Sequence, residues 1–248
     1  MCIRDRSINK GRYNFDTFRV EYFADYNSAF EGFKAGTYTF RNEASSKIWA
    51  TGYDFPALEK SWIKKTTLPD GNLSSGQSFV INLRREKFYD IRVRKAIGLM
   101  FNFEWSNSTL FYGLYERINS FWDNSDLKAI GIPDNEELEI LNKHKALLDV
   151  NTFSQEVYTF PKSSSKQLDR KNLRQASKLL DEAGWKVGDD GLRRNTEGKT
   201  LDVEILNDSQ AFDRIINPYV ENLKKLGINA ANIKIDNAQM TDRRRKFD

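Results

Sequence analysis

Between Asp16 and Glu43 the hydrophobic period changes from two, to 3.6, and back to two. In Thr17–Asp25, Phe18, Val20 and Tyr22 alternate with Arg19 and Glu21, the pattern of a half-buried strand. Ser28–Gly36 follows with Ala29, Phe30 and Phe33 on one helical face, a cap at Asn27 or Ser28 and a stop at Gly36. Thr37–Glu43 then reads as a second strand. Strand, helix and strand in so short a span predict a βαβ-like unit, and with it an α/β architecture.

The same alternation predicts the elements downstream. Phe79–Ile81 lies in a strand-like run whose continuous apolarity suggests burial on both faces. From Asp90, a plausible N-cap, Val93, Ala96, Ile97 and Met100 fall at i, i+3, i+4 and i+7, and a second helix runs near Phe103–Tyr112 up to Gly113. Residues 120–167 are the least regular part, with one acidic helix near Asp134 and a Ser-rich linker before Gln167. Leu173, Ala176, Leu179 and Leu180 align on an amphipathic helix stopped by Gly184. A β-hairpin follows, with turns at Asp190-Gly191 and Glu197-Gly198 and its second strand at Leu201–Leu206. The next helix, ending near Ile228, contains Pro218, which kinks it or delays its start. A strand at Asn232–Asp236 and a last element from Gln239 complete the pattern.

Composition narrows the function classes. The 248 residues carry 39 basic and 35 acidic side chains, a net charge of +4, which is too mild for a concentrated nucleic-acid face. Aromatics make up 13%, enough for a core, a lined cleft, or both. The one cysteine, Cys2, supports neither a disulfide framework nor a zinc site. No apolar run approaches the ~20 residues of a membrane span. The start, Met1–Arg12, has no apolar signal region and reads as foreign or disordered sequence joined to an internal starting point, so a fragment is expected. His144, the one histidine, sits in a polar segment and reads as solvated, and no Ser-His-Asp, Cys-His, HExxH, GxSxG or P-loop arrangement occurs. Catalysis and cofactors are therefore not expected. A glycosidase-like carboxylate pair and a nucleic-acid module built on Arg243–Lys246 are the weaker readings.

Three stretches together resemble the family 5 bacterial solute-binding proteins, the oligopeptide and dipeptide receptors of ABC importers. The first is Phe79–Trp105, with Asn82, Phe88, Asp90, Arg92, Val93, Arg94 and Ala96 at the positions of that family's pattern. The second is Leu179–Trp185 followed by Asp190-Gly191, Arg194 and Leu201. The third is Asn222–Ile228, a strand, and an Arg-x-x-x-Phe-Asp ending at Arg243, Phe247 and Asp248. The resemblance runs from about Tyr13 to the end. Ala50–Pro56, Leu110–Leu127 and Ile132–Leu141 look closer to one branch, the receptors of Yej-type importers of peptides and microcin C-like compounds.

The resemblance implies a periplasmic-binding-protein-like two-lobe fold (type II, family 5 cluster), incomplete in this chain. Residues 13–79 would be the later part of lobe I, and 80–248 most of lobe II. It implies capture of a peptide or peptide-like ligand between lobes, or, as the alternative, of a sugar, opine or metal chelate. Delivery would be to ABC permease subunits in the inner membrane, by a periplasmic or extracytoplasmic monomer that binds no nucleic acid. Arg243 matches the ligand-proximal arginine, Asn82 sits where a strand crosses between lobes, Trp49 and Tyr53 are candidate cleft walls, and Arg41 and Asn42 are candidates at a lobe I strand end. Arg92 and Arg94 read as ion-pair partners on a helix face.

Overall fold

The Asp25 carboxylate starts the first helix by accepting from the backbone N–H groups of Asn27 (2.9 Å) and Ser28 (3.0 Å). The cap is thus Asp25 and not Asn27 or Ser28, because a carboxylate two and three residues upstream satisfies both free amides at the positive end of the helix dipole. This computed structural model describes residues 7–12, 14–74 and 76–248, so the reading of Met1–Arg6 and Cys2 lies outside the described residues. The chain forms two compact units, one reaching to Thr66 and the other beginning at Thr67.

In the first unit, helix α1 (Tyr26–Lys34) buries Phe30 and Phe33. Helices α2 (Ser46–Thr51) and α3 (Pro56–Glu59) follow, with Ser45 capping α2 and Pro56 opening α3. The core here is aromatic. The Phe30 ring lies 5.2 Å from Tyr53 and 6.3 Å from Phe55, and Phe33 lies 5.4 Å from Tyr38. The two strands expected around α1 do not form, so the βαβ reading of this region is corrected. No described strand pairs with either segment, and a strand pattern without a partner leaves its amide groups to water. Phe18, Tyr22 and Phe40 are accordingly 82%, 91% and 77% exposed.

The second unit holds the sheet. Strands β3 (Asp202–Asn207) and β4 (Asn229–Lys234) pair in parallel, in register from Asp202↔Asn229 to Asn207↔Lys234. Helix α8 (Asp213–Lys225) makes the crossover, as parallel strands require. Strands β1 (Lys186–Val187) and β2 (Arg193–Arg194) form an antiparallel hairpin, its turn carrying Gly191 at φ +80°. Leu201–Leu206 is therefore not the hairpin's second strand: its register belongs to β4, and the chain touches the hairpin at the Arg194↔Thr200 bridge and the Leu201 N–H to Arg193 carbonyl bond. Helix α8 begins at Asp213 and continues past Pro218, so the proline does not delay it.

Helix α4 (Ile91–Leu99) starts on the Asp90 cap as expected, and helix α7 (Arg170–Glu182) starts on Asp169. Val93, Ala96, Ile97 and Met100 pack with Ala176 and Leu180 of α7, Leu201 and Val203 at β3, Tyr219 and Leu223 of α8, and Ile228 and Ala230 at β4. Burying each large aliphatic side chain contributes about 1.5–3 kcal/mol. Phe79 joins this unit, 4.8 Å from the Tyr219 ring and 5.5 Å from Phe101. The Phe79–Ile81 run forms no strand, however, and Val80 is 89% exposed, so burial on both faces is corrected. Helix α5 (Phe103–Thr109) ends earlier than expected, and helix α6 (Asn135–Lys143) has the reciprocal Asp134–Glu137 capping box. Helix α9 (Asn237–Lys246), capped by Asp236, ends at Phe247 in a left-handed conformation.

Candidate functional site

The residues singled out from the sequence gather at two places, one in each unit. In the first unit they surround a buried ion pair. Arg41 Nε meets Glu43 Oε2 at 2.9 Å, with only 6% and 2% of the two side chains exposed. Arg41 Nη1 also donates to the Tyr38 hydroxyl (2.9 Å), and the guanidinium lies over the rings of Tyr26 and Phe30. The Glu43 carboxylate accepts from the hydroxyls of Tyr26 and Tyr53 and from the Ser45 N–H.

Burial alone would raise the Glu43 pKa, but hydrogen bonds from Tyr26 and Arg41 outweigh it and hold the carboxyl below its ordinary value. The same burial, with Glu43 beside it, pushes the Tyr53 phenol up to about 12. Arg41 loses by burial and gains more from Glu43 and Tyr38, so its pKa is raised. Near neutral pH this network holds fixed charges and moves no proton.

Trp49 and Tyr53 do come together, their rings T-shaped at 6.0 Å. Lys65 lies 4.2 Å from the centre of the Trp49 ring and donates to the Trp49 carbonyl. Trp49 and Tyr53 each keep part of their surface accessible, and Asn42 is exposed. Arg41 instead turns Nε and Nη1 inward to Glu43 and Tyr38, and its Nη2 is buried without a partner among the described residues. Glu43, the counter-charge of this network, was missed in the sequence; the Arg-x-Glu spacing of two was the available signal.

In the second unit Asn82 and Arg243 meet the end of α9. Asn82 Nδ2 donates to the Phe247 carbonyl (2.6 Å), and its Oδ1 accepts from the Arg84 N–H. Arg243 pairs with Asp248 (3.1 Å) and Glu204 (3.5 Å), and Arg85 also reaches Asp248. The Arg84 guanidinium lies 3.4 Å from the centre of the Phe247 ring. Arg243, with 26% of its side chain exposed, is therefore held between two carboxylates and is not a free cation. Arg92 pairs with Asp90 as expected, whereas Arg94 makes no ion pair among the described residues and donates to the carbonyls of Phe88 and Tyr89. His144 is exposed.

One further arginine was missed. Arg193 is 2% exposed, and it donates to the carbonyls of Leu226 (2.8 Å) and Trp185 (2.7 Å), to Ser177 Oγ (2.7 Å) and to Asp181 (3.0 Å). Its neighbour Arg194, the one at the family pattern's position, pairs with Asp190 nearer the surface. Arg193 floors a surface groove of about 310 Å³ that also takes in Arg174, Val187 and Lys225. Among the described residues, no group of three or more His, Cys, Asp or Glu could hold a metal ion, and no helix is long and apolar enough to cross a membrane.

Residues 7–248 match the model of the bacterial extracellular solute-binding proteins, family 5 middle region. The chain is 44% identical, over 247 residues, to the "Probable peptide-binding protein YejA" of Agrobacterium fabrum, covering 99% of this chain and 40% of that protein. It is 39% identical to the uncharacterised protein YejA of Escherichia coli, covering 97% of this chain and again 40% of the relative. Two solved structures share the fold at low identity. NikA from Brucella suis, in complex with Fe(III)-EDTA, gives a TM-score of 0.54 at 20% identity, over 90% of this chain and 38% of that one. The oligopeptide-binding protein AppA from Bacillus subtilis, in complex with a nonapeptide, gives 0.53 at 19% identity, over 88% and 36%. The chain thus spans about 40% of the length of these curated relatives.

Proposed function

Because the chain belongs to the bacterial extracellular solute-binding proteins of family 5, we propose that it forms part of a two-lobed receptor that captures peptides or peptide-like compounds for an ABC importer. The observation that carries this reading is the 44% identity, across 99% of the chain, to a relative named as a peptide-binding protein. Residues 13–79 belong to lobe I and 80–248 to lobe II. The receptor works outside the cytoplasm as a monomer and hands its ligand to permease subunits. It binds no nucleic acid and breaks no bond: capture and closure are its whole chemistry. Trp49 and Tyr53 offer an aromatic wall to ligand side chains. Arg41 and Glu43 hold Tyr53 in place, with Asn42 at the exposed rim. Asn82 fixes the end of α9, and through it the position of Arg243 near the ligand.

A chimera tests this directly. This chain replaces the matching 247 residues of the Agrobacterium relative, and thermal unfolding is followed with and without a mixed peptide library. A ligand that binds the native state alone stabilises it by about 2.7 kcal/mol at a hundredfold excess over Kd, so the midpoint rises. A rise reproduced by one purified peptide supports the reading. A rise with Fe(III)-EDTA or an oligosaccharide and none with peptides replaces the ligand class.

A further inference from the structure

Arg117 is the under-partnered cation of the second unit. Its guanidinium lies against two aromatic rings, 5.3 Å from the centre of Phe103 and 5.3 Å from that of Phe160. Its Nε is sealed from solvent with no hydrogen-bond partner. Among the described residues its one hydrogen bond, Nη2 to the Phe101 carbonyl, is long at 3.4 Å. Arg117 is half-buried; the more deeply buried Arg41 and Arg193 side chains each have a carboxylate within 3.0 Å. Arg117 has no such ion pair among the described residues, because the nearby Glu104 carboxylate is turned to the Ser163 N–H (2.9 Å). Burial outweighs the charge of nearby Glu104 and pulls the Arg117 pKa down.

The surroundings are built for this arrangement. Helix α4 carries Gly98, where a Cβ would lie 2.4 Å from the Phe160 ring, so the glycine lets that ring lie against the helix. Phe160 packs edge-on against Tyr158 at 5.3 Å. Lys95, one turn before Gly98, places its ammonium 4.8 Å from the centre of the Tyr158 ring. Arg117 keeps part of its surface accessible and Tyr158 is 49% exposed, so the cluster reaches solvent. Two cations thus flank one aromatic pair. Aromatic rings against a guanidinium keep water from part of its surface and strengthen whatever meets its edge. The planar partner that matches such an edge is a carboxylate, through paired N–H donors.

We infer that Arg117, clamped by Phe103 and Phe160 and assisted by Lys95, is a carboxylate-binding site. As to the source of the carboxylate, the C-terminus of a captured peptide, the inference rests on the peptide reading above.

The test uses the 248-residue chain with trialanine, trialanine amide, acetate and inorganic phosphate as probes. Arg117→Lys assigns the Arg117 Nε–Hε resonance by its disappearance. Trialanine and acetate are expected to move that signal saturably, and trialanine amide to leave it still. By calorimetry, Arg117→Met weakens trialanine binding about tenfold or more, the worth of one charge-assisted contact. If that variant fails to fold, Lys95→Met, on the more open side, serves for the same measurement and weakens binding by a smaller factor. A static signal with trialanine binding unchanged in Arg117→Met overturns the site and leaves peptide capture standing. A signal moved by acetate, with no trialanine binding, keeps the site and sinks the peptide source. A larger response to phosphate than to acetate overturns the carboxylate assignment.

Discussion

The two units are held together by different means. The first centres on one polar node, the Arg41–Glu43 pair, around which Tyr26, Tyr38, Tyr53 and Phe30 are arranged. The second spreads its stability over aliphatic contacts among α4, α7, α8 and the β3–β4 pair. A node concentrates the consequences of a single change. A distributed core divides them, because each side chain supplies only part of the burial.

The sharpest way to break the contrast is Glu43→Ala. It leaves the Arg41 guanidinium buried without its counter-charge, which costs about 3–5 kcal/mol. Near-UV circular dichroism should show loss of the tyrosine and tryptophan signal of the first unit. The double variant Arg41→Met with Glu43→Leu should recover most of that loss, since it removes both charges. Acid provides an independent reading. The Glu43 pKa is depressed in the folded chain, so its stabilisation is complete above the ordinary carboxylate pKa and is lost as pH falls through the lower folded value. Glu43→Gln should flatten that part of the acid transition. An unchanged acid profile would show that the node does not hold the unit.

The second unit answers with Leu223→Ala. Leu223 is 0% exposed, and its truncation should cost about 2–4 kcal/mol in a denaturant titration while leaving the β3–β4 fold in place. Complete unfolding at this one position would mean that the second core is no more distributed than the first. The smallest effect is expected at Asp25→Ala. It removes the cap of α1 and should cost about 1 kcal/mol, read as a fall in the melting temperature. Asp25→Asn should recover most of it, because the amide oxygen can accept the same backbone N–H groups.

Helices were the legible part of the fold. The Asp90 cap, the Val93–Met100 stripe and the Gly184 stop are local signals, and each governs backbone within a few residues of itself. Strands were not legible in the same way. Phe18, Val20 and Tyr22 alternate as well as any residues of β3, yet pairing depends on a partner far along the chain, which alternation does not encode. That is also why Leu201–Leu206 was assigned to the hairpin nearest in sequence when its partner is β4. The site divided along the same line. The closeness of Trp49 to Tyr53 follows from spacing across one short helix. The tether from Asn82 to the Phe247 carbonyl and the fourfold anchoring of Arg193 join distant stretches. The family pattern points to Arg194 and not to Arg193. Burial points to Arg193.

The β3–α8–β4 crossover has a kinetic consequence. All its strand pairings close across one helix, so little loop entropy is lost in bringing the strands together. Its amides, backed by the buried face of α8, form a unit that can assemble early. They should be the last in the chain to exchange their hydrogens with solvent.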